Sequence, residues 1–106
     1  MEEATVPEIK QPPSMSVASL LTPINLTCIA EGRPAPSYEW YRDGVVIPGE
    51  IRSFLYIPET SPQDRGSYYC KAINNINTTE SKPASLLVPG VRVFTVACII
   101  SRCWIL

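Results

Sequence analysis

The stretch DRGSYYC, residues 64–70, decides the fold of this chain. Alternate side chains of a β-strand point to opposite faces, so Tyr68 and Cys70 enter one core together. The Asp and Gly that precede them favour a turn. A strand that presents Tyr-x-Cys inward needs a second cysteine and a bulky side chain beside it, and Cys28 and Trp40 are the well-placed candidates.

Short alternating segments recur along the rest of the chain. Those that indicate strands span residues 24–28, 37–41, 45–47, 54–57 and 84–88. Asp43-Gly44 predicts a tight hairpin, and residues 74–77 predict another turn. Pro12 and Pro13 cannot donate ladder hydrogen bonds, so they belong at a sheet edge or at a switch between sheets. About seven short strands separated by turns indicate an all-β antiparallel sandwich.

The composition excludes several classes of function. The chain has 106 residues and a formal net charge of −1, with scattered signs, so nothing indicates binding to nucleic acid or to an anionic membrane. Histidine is absent, which removes the His-dependent nucleophile systems and the commonest ligand of a catalytic metal. We therefore expect no enzyme activity, no cofactor, no metal site and no small-molecule substrate.

The four cysteines are Cys28, Cys70, Cys98 and Cys103, and no two of them form a Cys-x-x-Cys pair. Zinc sites usually bring their ligands in closely spaced pairs, so a disulfide between Cys28 and Cys70 is favoured over a metal site. A loop of that length stabilises the fold by about 4 kcal/mol in the chain-entropy description. We do not expect Cys98 and Cys103 to be a designed pair.

These residues resemble the immunoglobulin superfamily. The pattern that carries the resemblance is Cys28, Trp40 and Asp64-x-Gly66-x-Tyr68-x-Cys70. The I-set branch is matched by Ala30-x-Gly32-x-Pro34-x-Pro36-x-Tyr38-x-Trp40-x-Arg42-Asp43-Gly44, Leu55-x-Ile57, Ala72-x-Asn74 and Leu86-x-Val88. The resemblance implies a two-sheet antiparallel Greek-key sandwich in which Trp40 packs on one inter-sheet disulfide.

The resemblance also assigns roles near the corner between the sheets. Tyr68 resembles the corner tyrosine, whose hydroxyl returns to the backbone near Asp64. We further expect Arg52 to pair with Asp64. One departure is that Leu20 and Leu21 stand where the family usually has Glu-Gly.

The resemblance covers residues 7–88, which we take as the domain. Residues 1–6 are then an N-terminal extension, and residues 89–106 are an apolar tail outside the domain. The predicted core comprises Leu26, Trp40, Leu55, Ile57, Tyr68 and Leu86.

The apolar tail does not fit the sandwich. Its longest uncharged run, residues 93–101, is too short to span a bilayer, which needs about 20 residues. We therefore expect no membrane insertion by the domain, and we interpret the tail as a translated intron or an alternative exon. The first residues are acidic and lack an apolar run, so they do not form a secretory signal.

Two triplets are acceptors for N-glycosylation, at Asn25 and at Asn77. Asn25 alternates with the inward Ile24 and Leu26, so it is expected to face solvent, and Asn77 lies in a predicted turn. Both are therefore predicted glycosylation sites in a secreted protein.

One outward face carries aromatic and aliphatic groups mixed with charges, as protein-binding surfaces often do. Its predicted members are Glu39, Tyr41, Tyr69, Lys71, Ile73 and Leu87. An ordinary solvated sheet face is the alternative interpretation.

The resemblance implies an extracellular module for protein–protein recognition or cell adhesion, often homophilic or between related surface proteins. Such a module would belong to a larger cell-surface or secreted protein. Alternatives are a structural spacer of a matrix proteoglycan or a cytoplasmic muscle protein, and the ectodomain of a receptor tyrosine kinase. The two acceptor triplets argue mildly against the muscle alternative.

Overall fold

A computed structural model describes residues 3–89. The predictions for residues 90–106, including those for Cys98 and Cys103, lie outside the described residues. Within residues 3–89 the elements are β1 (Thr5–Gln11), β2 (Ser16–Val17), β3 (Ile24–Thr27), β4 (Ile29–Arg33), β5 (Ser37–Arg42), β6 (Val45–Val46), β7 (Phe54–Ile57), a 3₁₀ turn (Pro62–Asp64), β8 (Gly66–Ile73), β9 (Thr78–Glu80) and β10 (Ala84–Leu87).

Several of these strands are pieces of one longer run. β3 and β4 are separated only by Cys28, and the alternation continues through it, since Leu26, Cys28 and Ala30 are all buried. β9 and β10 are likewise interrupted around Ser81, whose hydroxyl accepts a hydrogen bond from the Cys70 amide. β1 begins at Thr5, two residues before the predicted start of the domain.

The strands form two layers, as predicted. In the first layer β1 pairs with β4, and β3 pairs with β7. In the second layer the order is β2-β10-β8-β5-β6, and β9 also pairs with β8. All these pairings are antiparallel except the parallel pairing of β2 with β10. The chain therefore changes layer between β1 and β2, where Pro12 and Pro13 interrupt hydrogen bonding.

The core lies between the layers and is centred on the Cys28–Cys70 disulfide. Trp40 is fully buried, and its indole Nε1 donates a 2.8 Å hydrogen bond to the Arg52 carbonyl. The other buried members of the predicted core are Leu26, Leu55, Tyr68 and Leu86. Ile57 is only partly buried and packs at the edge of this cluster.

The corner before β8 is held by Asp64. Its carbonyl accepts a 2.6 Å hydrogen bond from the Tyr68 hydroxyl, and burial raises the pKa of that hydroxyl. The Asp64 carboxylate accepts a 2.8 Å hydrogen bond from the Ser61 amide and lies 3.9 Å from the Arg42 guanidinium. The expected Arg52 pairing is wrong, because Arg52 instead lies 5.7 Å from the centre of the Phe54 ring.

The β5–β6 hairpin has the predicted two-residue turn. Asp43 and Gly44 have φ values of 51° and 85°, which is the left-handed pair that a type I′ turn requires. The Asp43 carboxylate also accepts a 2.9 Å hydrogen bond from the Ser67 amide, so the turn is tied to β8.

Leu21 is the second non-glycine residue with a left-handed backbone among those described, at φ 64°. This conformation is unfavourable for a residue with a Cβ atom and a bulky side chain. Two backbone hydrogen bonds hold this conformation: the Leu21 amide donates to the Thr60 carbonyl, and the Thr60 amide donates to the Thr22 carbonyl. It falls where the family usually has glycine.

Candidate protein-binding face

Two tyrosine rings lie at the centre of the outward side of the second layer. Tyr41 on β5 and Tyr69 on β8 are directly opposite each other in the register. Their ring centres are 5.0 Å apart, and the ring planes differ by only 2°. Both side chains are half-buried. Each ring therefore packs against the other, and part of the pair is exposed to solvent.

Two charged side chains extend this pair along the same side. The Lys71 ammonium lies 4.7 Å from the centre of the Tyr41 ring, within the range of a cation–π contact. The Tyr41 hydroxyl donates a 2.8 Å hydrogen bond to the Glu39 carboxylate. That bond raises the pKa of Tyr41, and hydrogen bonding to Tyr41 raises the pKa of Lys71. At neutral pH the arrangement is therefore a cation, a neutral phenol and an anion in a row.

Exposed aliphatic side chains lie on both flanks of the charged row. Leu87 is 46% exposed and is paired in register with Val17, while Val46 is paired with Tyr41 across the hairpin. Together they form what we call the tyrosine face, which comprises Val17, Glu39, Tyr41, Val46, Tyr69, Lys71, Ile73 and Leu87.

Sequence reasoning named six of these eight residues and missed Val17 and Val46. The Asp43-Gly44 turn contains the signal for Val46, because a two-residue hairpin sets Val46 opposite Tyr41. No comparable signal exists for Val17. Its place depends on a parallel pairing with a strand that lies about seventy residues later.

The two acceptor asparagines are both exposed, but their surroundings differ. Asn25 lies on the outward side of the first layer, opposite Tyr56 in the register. Asn77 lies in the turn between β8 and β9, where its carbonyl accepts a hydrogen bond from the Asn74 amide. Neither acceptor lies on the tyrosine face.

Within residues 3–89 no group of three or more Cys, Asp and Glu side chains is arranged to hold a metal ion. Over the same residues no helix is long and apolar enough to cross a membrane.

A sequence model of the immunoglobulin domain matches residues 6–74. The chain belongs to the immunoglobulin family. Human Roundabout homolog 2 is 36% identical to this immunoglobulin domain over 107 aligned residues, which cover 86% of the chain and 8% of that protein. The chain thus spans only a small part of this relative.

Two solved structures resemble the domain closely. One is the N-terminal Ig1-2 module of the Drosophila receptor protein tyrosine phosphatase DLAR, with a TM-score of 0.75 and 29% identity. The match covers 81% of this chain and 47% of that one. Titin domain M7 has a TM-score of 0.74 at 22% identity and covers 85% of this chain and all of its own, which shows the shared fold alone.

Proposed function

We propose that this immunoglobulin domain is a non-catalytic recognition module of a larger cell-surface or secreted protein, and that its tyrosine face binds another protein. The observation that carries the proposal is the stacked pair of Tyr41 and Tyr69, with Lys71 over one ring. Tyrosine is enriched among the residues that dominate binding energy at protein interfaces.

The stacked pair is suited to binding because its geometry is fixed before a partner arrives. Each ring restricts the other, so less side-chain freedom remains to be lost on association. The flanking aliphatic groups, Val17, Val46 and Leu87, supply apolar area that is otherwise left in water. The tyrosine face thus combines a central row of aromatic and charged side chains with apolar flanks.

The charges of the face support a second copy of the chain as the first partner to test. Lys71 and Glu39 carry opposite charges on one surface. In a two-fold dimer the same surface meets itself, so a cation of one copy can lie against an anion of the other. A related surface protein with the same charge pattern would satisfy the same requirement.

The proposal is tested by coupling the full chain to fluorescent beads and measuring bead aggregation. We expect wild-type beads to aggregate and the variants Tyr41→Ala and Tyr69→Ala to reduce aggregation at least tenfold, the change expected for central interface tyrosines. Ile29→Ala is the control, because Ile29 is an exposed apolar strand residue on the opposite layer. Thermal unfolding of each variant checks that the fold is retained.

Equal aggregation by folded Tyr41→Ala, Tyr69→Ala and wild-type chains would overturn the tyrosine face as the binding surface. Wild-type beads that stay dispersed would exclude self-recognition. Binding of the chain to displayed ectodomains of other surface proteins, with the same variants, would then decide between a heterologous partner and a spacer role.

A further inference from the structure

The first layer carries an acceptor asparagine directly beside an exposed aromatic ring. Asn25 on β3 and Tyr56 on β7 are opposite each other in an antiparallel register. Side chains in this relationship have Cβ atoms about 4.5–5.5 Å apart. A group attached to the Asn25 side chain is therefore within contact distance of the Tyr56 ring. Asn25 is exposed, and Leu26 and Thr27 complete its acceptor triplet.

The ring of Tyr56 is unusually open. It is 53% exposed. Within the described part of the chain the ring contacts involve Tyr41 with Tyr69, Lys71 with Tyr41, and Arg52 with Phe54, and none of them uses Tyr56. The exposed face of this ring is apolar surface in contact with water. Covering it with an attached group is therefore favourable in free energy.

A depression of about 430 Å³ adjoins Tyr56 and is lined by the segment that precedes β7. Its lining combines ring and aliphatic surface with polar groups. The residues that line it are Gly49, Glu50, Ile51, Arg52, Phe54 and Tyr56. Aromatic surface next to a carboxylate and a guanidinium suits a sugar, because a pyranose ring has one face of C–H groups and an edge of hydroxyls.

We propose that Asn25 carries an N-linked glycan whose first N-acetylglucosamine packs on Tyr56, with the following sugar directed into the adjoining depression. The inference rests on the proposed passage of the protein through the secretory pathway. The donor is an oligosaccharide linked to a lipid diphosphate. The bond from its sugar C1 to the diphosphate oxygen breaks, a bond from C1 to the Asn25 Nδ2 forms, and the amide proton leaves with the lipid diphosphate.

The packed glycan has a function on this side of the domain. It covers the exposed apolar surface of Tyr56 that would otherwise promote non-specific association. Because Asn25 lies on the first layer and the tyrosine face on the second, the sugar leaves the tyrosine face open. The glycan thus restricts protein contacts to one side of the sandwich.

Asn77 provides an internal control. It is an exposed acceptor in the same chain, but its place is the β8–β9 turn, and the strand residue after it, Thr78, is paired with Ile73 rather than with an aromatic ring. A glycan at Asn77 therefore has no aromatic ring opposite it in the register. We expect the change in Tm on removing this glycan to be the same with and without the Tyr56 ring.

The test uses the full chain secreted from mammalian cells behind a cleavable signal, with Asn77→Gln so that Asn25 is the acceptor examined. Mass measurement of the secreted protein gives the occupancy of Asn25. Thermal unfolding is then compared for the intact glycan, for a single remaining N-acetylglucosamine after endoglycosidase H treatment of high-mannose protein, and for the sugar-free chain. The same set is measured with Tyr56→Ala and, as a second variant that suits a strand, Tyr56→Thr.

We expect the single sugar to raise Tm by about 3–6 °C and the intact glycan to raise it further through the second sugar in the depression, whereas the single sugar raises Tm by less than about 1 °C in either Tyr56 variant. The reciprocal chain, Asn25→Gln with Asn77 retained, is expected to show no Tyr56-dependent change. An unmodified Asn25 in the secreted, folded chain would overturn the proposal, and so would a Tm rise that persists without the Tyr56 ring. Because the signal directs the chain into the secretory pathway, either failure is separate from failure of bead aggregation through the tyrosine face.

Discussion

The hydroxyl of Tyr68 donates a 2.6 Å hydrogen bond to the carbonyl of Asp64, four residues earlier in the chain. The ring of Tyr68 is fully buried, so the bond joins the core to the corner between the layers. We expect Tyr68→Phe to lower the free energy of unfolding by about 1–2 kcal/mol, because the Asp64 carbonyl loses its partner. Chemical denaturation measures this change.

The control for that variant is Tyr56→Phe, since Tyr56 is more than half exposed. Its hydroxyl faces water, and we expect a change within about 0.5 kcal/mol. Equal losses for both variants would show that the corner bond is not a specific stabilising contact.

The buried disulfide joins residues that are 42 positions apart. We expect the double variant Cys28→Ala/Cys70→Ala to lose about 4 kcal/mol of unfolding free energy, since the unfolded chain regains the freedom of a long open loop. Chemical denaturation of the two proteins side by side, followed by circular dichroism, measures the difference. A loss below about 1 kcal/mol would contradict this account of the core.

Leu21 offers a substitution that stabilises. Its backbone is left-handed at φ 64°, and its side chain is 68% exposed, so little burial is lost on removing it. We expect Leu21→Gly to raise Tm by about 4 °C, because glycine adopts this conformation without steric strain. Leu20→Gly is the matched control, and it is expected to be neutral or destabilising. A lower Tm for Leu21→Gly than for the wild type would show that the left-handed backbone at Leu21 does not destabilise the domain.

The hydrogen bond from Tyr41 to Glu39 predicts a pH dependence. The folded-state pKa of Tyr41 is raised above its ordinary value of 10.0, so the contribution of this bond is fully present below about pH 10 and is lost as the pH rises through the raised pKa. We expect Glu39→Gln to lower the pKa of Tyr41, as followed by NMR of ring-labelled tyrosine. Glu59→Gln, an exposed substitution outside this contact, is the control; if both variants shift Tyr41 alike, the Glu39 contact is not the cause.

The fold could be predicted from the sequence because its signals are local and reinforce one another. Tyr68 and Cys70 share one face of a strand by simple alternation, and Asp43-Gly44 specifies a two-residue hairpin. The partner of Asp64 was less predictable. Arg42 lies beside Asp64 whereas Arg52 lies beside the Phe54 ring, and this difference depends on the path of the irregular segment between β6 and β7.

The candidate site was predictable to a similar extent. Tyr41 and Tyr69 could be assigned to one side, but their stacking depends on the register of β5 against β8, which alternation alone does not set. The cross-strand pair of Asn25 and Tyr56 was missed for the same reason. Asn25 was recognised as an acceptor from its triplet, whereas its aromatic neighbour lies about thirty residues later in the chain.

The change of layer between β1 and β2 has a mechanical consequence. β1 starts at the end of the sandwich where Asn74 contacts Thr5, and β10 runs parallel to β2 toward the opposite end, where Leu86 is paired with Gly66. Tension that pulls the two ends of the domain apart therefore slides these strands lengthwise, so that several backbone hydrogen bonds resist together. A load applied along these strands would therefore be shared between the paired strands β2 and β10.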